Sequence, residues 1–152
     1  MLHIQRTNSD NPDFHLLTKQ LDITLCEIYG TKPEDYEEYN RIVDLPTVLI
    51  AYLEEVPVGC GCFKNFNEDT IELKRMFVLP EHRGQGIATR LVYEIETWAL
   101  ELNYTYAALE TGNKQTDAIN LYQNLGYTIT TGFNKYVDND FSVCMLKSLW
   151  PL

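Results

Sequence analysis

The chain is short of positive charge. Twelve Lys and Arg stand against 22 Asp and Glu, a formal net charge of −10. Nucleic acid is bound through a basic face, so it is not expected as the main partner. No apolar run approaches the roughly 20 residues that a membrane helix needs. The first residues, MLHIQRTNSDNPDF, lack the charged-then-apolar order of a secretory signal. The expectation is a cytoplasmic protein with no membrane partner. Cysteine is limited to Cys26, Cys60, Cys62 and Cys144, whose spacing suits neither a disulfide framework nor a zinc site. They are expected as buried free thiols, which pack as small hydrophobes. His3, His15 and His82 are scattered, and no metal is expected. The Gly-Lys-Ser/Thr of a P-loop is missing, and the dinucleotide pattern G-x-G-x-x-G would require glycine at Thr89. No repeat, low-complexity tract or Pro/Gly/Ser linker divides the 152 residues, so 1–152 reads as a single domain.

What positive charge there is collects in one place. Between Lys74 and Arg90, Lys74, Arg75, Arg83 and Arg90 outnumber Glu81 by three. A basic island in an acidic protein suits an anionic ligand. The acidic remainder would steer a cationic co-substrate, or simply keep the protein soluble.

The periodicities predict a mixed α/β chain whose first half is hairpin-like, and so not doubly wound. Helices are predicted over Asp13–Tyr29, Lys32–Arg41, about Gly84–Leu102 and Thr116–Leu125. The third carries the clearest apolar stripe, Ile87, Ala88, Leu91, Val92, Ile95, Trp98, Ala99 and Leu102. Gly30 and Gly126 are placed to stop helices. Strands are predicted over Thr47–Leu53, Val58–Asn65, Ile71–Leu79, Tyr106–Glu110, Tyr127–Thr131 and Ser142–Leu149. The first three are antiparallel because their connections are short, Glu54 to Pro57 and Asn67 to Asp69. A parallel crossover then leads through the long helix to Tyr106. Residues 132–140 read as a polar loop, expected to be mobile.

One stretch organises the rest: ELKRMFVLPEHRGQGIATRLVYEIETWALEL, from Glu72 to Leu102. It reads as a strand, a glycine-bearing turn and a long helix. In the turn Arg83-Gly84-Gln85-Gly86-Ile87-Ala88, two glycines clear the backbone for a close approach. The following helix end offers unpaired N–H groups and a positive dipole end, and Arg83 adds a bidentate donor. A pyrophosphate would fit; so would a plain glycine-softened helix start.

The pattern Arg-x-x-Gly-x-Ala at Arg83, Gly86 and Ala88 resembles motif A of the GNAT N-acetyltransferase superfamily, with Glu72–Val78 similar to that family's fourth strand. Leu109-Glu110-Thr111-Gly112, Ala118-Ile119-Asn120-Leu121-Tyr122 and Gly126-Tyr127 are similar to its motif B. The resemblance covers roughly Val48 to Leu146, and the two motifs at this distance are more specific than either alone.

The resemblance implies a GNAT-like acyl-CoA acyltransferase fold: a central, mostly antiparallel sheet splayed at strands four and five, with about four flanking helices. It implies acetyl-CoA as co-substrate and an N-acetyltransferase acting on an amine of a small molecule or protein. The backbone of Met76, Phe77 and Val78 would pair with the pantetheine arm. The N–H groups of Arg83, Gly84, Gln85, Gly86, Ile87 and Ala88 would hold the pyrophosphate, and Asn113 and Asn120 are lesser coenzyme contacts. Asn113 is equally readable as a turn residue. Tyr122 matches the general-acid tyrosine, against an alternative as a core tyrosine. Glu72 matches the general base, with Glu110 as rival and ammonium anchoring or plain solvation as alternatives. The Met76 N–H is the implied oxyanion donor. For the acceptor pocket, Tyr29, Tyr36, Glu37, Glu38, Tyr39, Phe133 and Tyr136 suit a cationic amine, or an ordinary core and helix face. A coenzyme A sensor without turnover, a longer acyl donor and a homodimer all stay compatible with the sequence.

Overall fold

A computed structural model describes residues 1–32, 42–131 and 142–149 of the chain. The strands are β1 (Leu2–Thr7), β2 (Val48–Leu53), β3 (Val56–Asn65), β4 (Thr70–Val78), β5 (Tyr106–Gly112), β6 (Thr128–Thr130) and β7 (Ser142–Ser148). The helices are α1 (Pro12–Tyr29), α2 (Ile87–Glu101) and α3 (Thr116–Asn124). The strands form a seven-stranded sheet in the order β1-β2-β3-β4-β5-β7-β6. Ladders β1/β2, β2/β3, β5/β7 and β6/β7 are antiparallel, while β4/β5 is parallel. This is the expected mixed sheet. The β4/β5 ladder ends at Leu73↔Leu109, although β4 runs on to Val78 and β5 to Gly112. The pairing thus stops part-way along both strands, the expected splay.

The chain divides into two compact units, Met1–Phe63 with Lys74–Ile95, and Lys64–Leu73 with Glu96–Leu152. In the first, α1 begins on Asn11, whose side chain accepts from the Asp13 N–H at 2.8 Å, and Pro12 follows where its missing N–H costs nothing. It ends on Gly30, left-handed at φ 63°, as its sequence position predicts. Its buried face, Phe14, Leu17 and Leu21, packs with Val48, Ile50, Cys60, Cys62 and Phe77 from three strands. The β2/β3 connection is tighter than expected. β3 begins at Val56, leaving Glu54 and Glu55 as a two-residue turn with φ of 50° and 69°, the left-handed pair a hairpin twist favours. In β3, a Cβ on Gly59 would lie 3.1 Å from the Phe77 carbonyl and 3.3 Å from Ile87 and Leu91, so any larger residue would make these neighbours give by a few tenths of an ångström.

In the second unit β7 lies between β5 and β6. Tyr127, Met145 and Leu149 are fully buried there.

Two expectations change. The N-terminal segment, for which no strand is predicted, forms β1. Its alternation of half-buried Leu2, Ile4 and Arg6 with exposed neighbours makes it a strand on β2. Leu102 leaves the apolar stripe, because α2 ends at Glu101 and Leu102 is 47% exposed. Apart from Lys32, the helix predicted over Lys32–Arg41 lies outside the described residues, as do the loop over 132–140 and Tyr36, Glu37, Glu38, Tyr39, Phe133 and Tyr136. Among the described residues the four cysteines are free thiols, three buried and Cys26 half-buried. No described helix is long and apolar enough to cross a membrane.

Candidate active site

In the first unit the coenzyme candidates run continuously from the end of β4 into α2. β4 is buried along most of its length, with Met76 half-buried and Phe77 and Val78 buried. A short helical turn, Pro80–His82, follows, and then residues 83–86 lead into α2. Gly84 and Gly86 both take φ 78°, a conformation that L side chains rarely adopt. Beyond the adjoining residues of the chain, no described heavy atom lies within 4 Å of where a Cβ would sit at either one. Backbone conformation, rather than crowding, selects glycine here, and it leaves the backbone open to a close approach. The first intrahelical bond of α2 runs from the Arg90 N–H to the Gly86 carbonyl at 3.1 Å. The N–H groups of Ile87, Ala88 and Thr89 therefore point out of the helix end without intrahelical partners, at the positive end of its dipole.

The basic island does not all face this turn. Arg83 folds back: its Nε donates to the Val78 carbonyl at 3.0 Å, and its guanidinium lies 5.8 Å from the Phe77 ring centroid. Arg75 is buried and donates to Asp22 of α1 at 2.7 Å. Counting charges along the sequence overstated the local cation supply, because Arg75 is consumed by an ion pair within the fold.

In the second unit, two carboxylates share one face of the sheet. Glu72 is opposite Ala108 in the β4/β5 ladder, Ala108 is opposite Leu146, and Glu110 is opposite Cys144. With a side-chain period of two, Glu72, Glu110 and Cys144 project to the same side. Glu72 is only 2% exposed. The Cys144 thiol records both charges: burial pushes its pKa up to about 11, and the fields of Glu110 and Glu72 push in the same direction. The rivals for the general base are thus neighbours that together make one negative patch.

Tyr122 is buried on α3, 6% exposed. Its ring meets that of Tyr127 edge to face, with centroids 5.7 Å apart. Burial raises its pKa above the ordinary tyrosine value, so it keeps its proton throughout the physiological range. Tyr127 is tied down in turn. Its hydroxyl donates to Glu96 Oε2 at 2.9 Å, and Lys147 Nζ donates to both Glu96 oxygens at 3.0 and 3.1 Å. This Tyr127–Glu96–Lys147 support had no sequence signal, since its members come from three distant elements. Asn113 sits exposed in the turn after β5, and Asn120 is exposed on α3.

The Acetyltransferase (GNAT) family model matches residues 13–127. The chain belongs to the GNAT acetyltransferase family. It is 33% identical over 141 residues to the IAA acetyltransferase of Azospirillum brasilense, covering 88% of each chain. It is 40% identical over 117 residues to human N-acetyltransferase 8, which takes in 74% of this chain and 50% of that relative's length. In structure it is similar to a candidate acyl-CoA N-acyltransferase from Klebsiella pneumoniae, at TM-score 0.82 and 28% identity over 99% of both chains. It also shares its fold with a GNAT family acetyltransferase of Elizabethkingia anophelis solved with acetyl-CoA bound, at TM-score 0.69 and 20% identity over 97% of both. This GNAT protein is thus an acyl-CoA-dependent N-acyltransferase, the activity class its motifs implied.

Proposed function

We propose that this GNAT acetyltransferase moves the acetyl group of acetyl-CoA onto a primary amine by direct attack. The observation that carries the reading is the turn at Gly84 and Gly86, two left-handed glycines that leave the first N–H groups of α2 open to an anion. A pyrophosphate bound there sets the coenzyme's anchor. The backbone of Met76, Phe77 and Val78 then accompanies the pantetheine arm. The Val78 carbonyl already accepts from Arg83, so it offers its remaining lone pair only. Residues 83–88 would hold the pyrophosphate, with Asn113 and Asn120 as lesser contacts.

The reaction forms a C–N bond and breaks the thioester C–S bond. The Met76 N–H is the proposed donor to the oxygen that gains charge in between. The amine must give up a proton, and the carboxylate pair of Glu72 and Glu110 supplies both a base and a negative field that draws in a cationic amine. Glu72→Gln and Glu110→Gln separate the two, because only the variant of the true base loses kcat at neutral pH while recovering toward alkaline pH. Direct attack is supported by the thiols. Burial raises the pKa of Cys60 and Cys144, which keeps both as poor nucleophiles.

Tyr122 is proposed to protonate the leaving sulfur. An ordinary thiol has a pKa near 8.5 and an ordinary phenol near 10, and burial lifts Tyr122 further. Full transfer to a free thiolate would be uphill. Tyr122 therefore acts by hydrogen bonding to the sulfur as charge builds on it, with the proton crossing late.

The family match runs through residues of both compact units, which supports a single N-acetyltransferase domain over 1–152. Isothermal titration with acetyl-CoA is the direct test. Saturable binding with one site is expected, and no heat of binding at millimolar ligand would overturn the reading. Binding without thiol release across an amine panel would mark a coenzyme A-binding module instead.

A further inference from the structure

Arg75 stands out in β4. It is the one described residue inside a sheet strand with a left-handed backbone, φ 58°, and it is a bulky side chain rather than glycine. Across the β3/β4 hairpin the pairing slips by one residue between Phe66–Thr70 and Val58–Leu79, so between these two pairs the β4 side carries one residue more than the β3 side. Arg75 is therefore the left-handed residue of a β-bulge, a position where glycine is usual. The parallel pairing of β4 with β5 ends two residues earlier, at Leu73.

A strained conformation persists only when its surroundings over-determine it, and four hydrogen bonds do so here. The Arg75 guanidinium crosses to α1, where Nη2 donates to the Thr18 carbonyl at 3.0 Å and to Asp22 Oδ1 at 2.7 Å. On β3, the Cys62 thiol donates to the Lys74 carbonyl at 3.3 Å and the Cys60 thiol to the Arg75 carbonyl at 3.5 Å. The bulge is thus held from a helix on its side-chain end and from a neighbouring strand on its backbone.

The next residue is Met76, whose N–H belongs to the same peptide unit as the Arg75 carbonyl. The direction of that N–H is set by the ψ of Arg75 and by whatever anchors its carbonyl. The geometry points to Arg75 as a positioning residue: its clamp onto Asp22 and Thr18 of α1 holds the bulge that aims the Met76 N–H at the acetyl carbonyl oxygen. This rests on the reading of Met76 as oxyanion donor. It adds a mechanical link between α1 and that donor, which neither motif contains. Removing an oxyanion donor outright costs about 10²- to 10³-fold in kcat, and mis-aiming it by about 1 Å costs up to about 10²-fold.

The test uses Arg75→Gly, Arg75→Lys and Asp22→Ala in the full chain. Glycine accepts the left-handed backbone without strain but has no guanidinium. Lysine keeps the charge and recovers one of the two bonds. The decisive readout is the infrared stretch of ¹³C-labelled acetyl carbonyl in bound acetyl-CoA, which drops when an N–H polarises it and which a purely structural role would not move. Turnover is read with the best amine of a panel, and coenzyme affinity by titration.

Wild type is expected to lower the stretch relative to free acetyl-CoA. Arg75→Gly and Asp22→Ala should return it toward the free value and lower kcat about tenfold or more, with acetyl-CoA affinity held within about threefold. Arg75→Lys should fall between. If Arg75→Gly does not fold, Asp22→Ala decides alone, since the Asp22 side chain is 40% exposed. A normal stretch in Asp22→Ala, whether or not kcat falls, overturns the positioning role. A free-like stretch in bound wild type overturns the oxyanion reading itself, and this proposal with it.

Discussion

The ring of Tyr122 meets the ring of Tyr127 edge to face, 5.7 Å between centroids, and Tyr127 is in turn pinned through its hydroxyl to Glu96. The candidate acid therefore rests on a residue that cannot turn without breaking a charge-assisted hydrogen bond. Lys147 completes the set, donating to both Glu96 oxygens and lying 5.6 Å from the Tyr127 ring centroid.

Breaking this support should cost stability in a fixed order. Tyr127→Phe removes one hydrogen bond to a carboxylate that still keeps Lys147, and about 1–2 kcal/mol is expected. Lys147→Met leaves the largely buried Glu96 charge with only a phenol partner, and the loss should be larger, about 2–3 kcal/mol. Denaturant unfolding of both variants reads this directly. Equal losses, or none, would contradict the network.

Alkaline pH should unfold the protein partly through Tyr52. Its pKa is raised to about 12, first by burial and then by the hydrogen bond to Asp13, at 2.6 Å. The folded-state value lies above the unfolded value of about 10. The contribution is therefore fully present below pH about 10 and is lost as pH rises toward 12. Tyr52→Phe should flatten the fall in Tm over that window. Some fall should remain, because Tyr122 and Tyr127 are shifted in the same direction. An unchanged slope in Tyr52→Phe would remove Tyr52 as a cause.

Gly84→Ala and Gly86→Ala should weaken acetyl-CoA without crowding the fold. Beyond the adjoining residues, a Cβ at either position meets no described atom within 4 Å, so the cost comes from the φ of 78°. Each variant relaxes the turn that presents the first N–H groups of α2. An acetyl-CoA affinity lowered about tenfold is expected, with far-ultraviolet circular dichroism unchanged. Wild-type affinity in both variants would move the pyrophosphate elsewhere.

Much of this was legible in residue order, and the exceptions have physical reasons. The long helix, the β4–β5 crossover, the Gly30 stop and the glycine turn are local: each follows from spacing, a dipole end or a backbone preference. β1 carries only a weak signal, because four half-buried residues, Leu2, Ile4, Arg6 and Thr7, and two exposed ones, His3 and Gln5, do not stand out from a polar N-terminus. Arg75 was counted as part of an anion-binding island because a sequence shows charge but not direction. Its partner, Asp22, lies 53 positions away on α1. The pairing of Glu72 with Glu110 and Cys144 depends on ladder register, which no single strand reveals. Glu96 and Lys147 belong to no motif, and it is the fold that brings α2 and β7 together at Tyr127.

The account stands most directly on acetyl transfer itself, followed as free coenzyme A thiol released from acetyl-CoA across a panel of primary amines. It predicts amine-dependent release matched mole for mole by acetylated amine, and a kcat about 10²-fold or more lower in Tyr122→Phe. Saturable acetyl-CoA binding with no release for any amine, or a Tyr122→Phe rate equal to wild type, would contradict it.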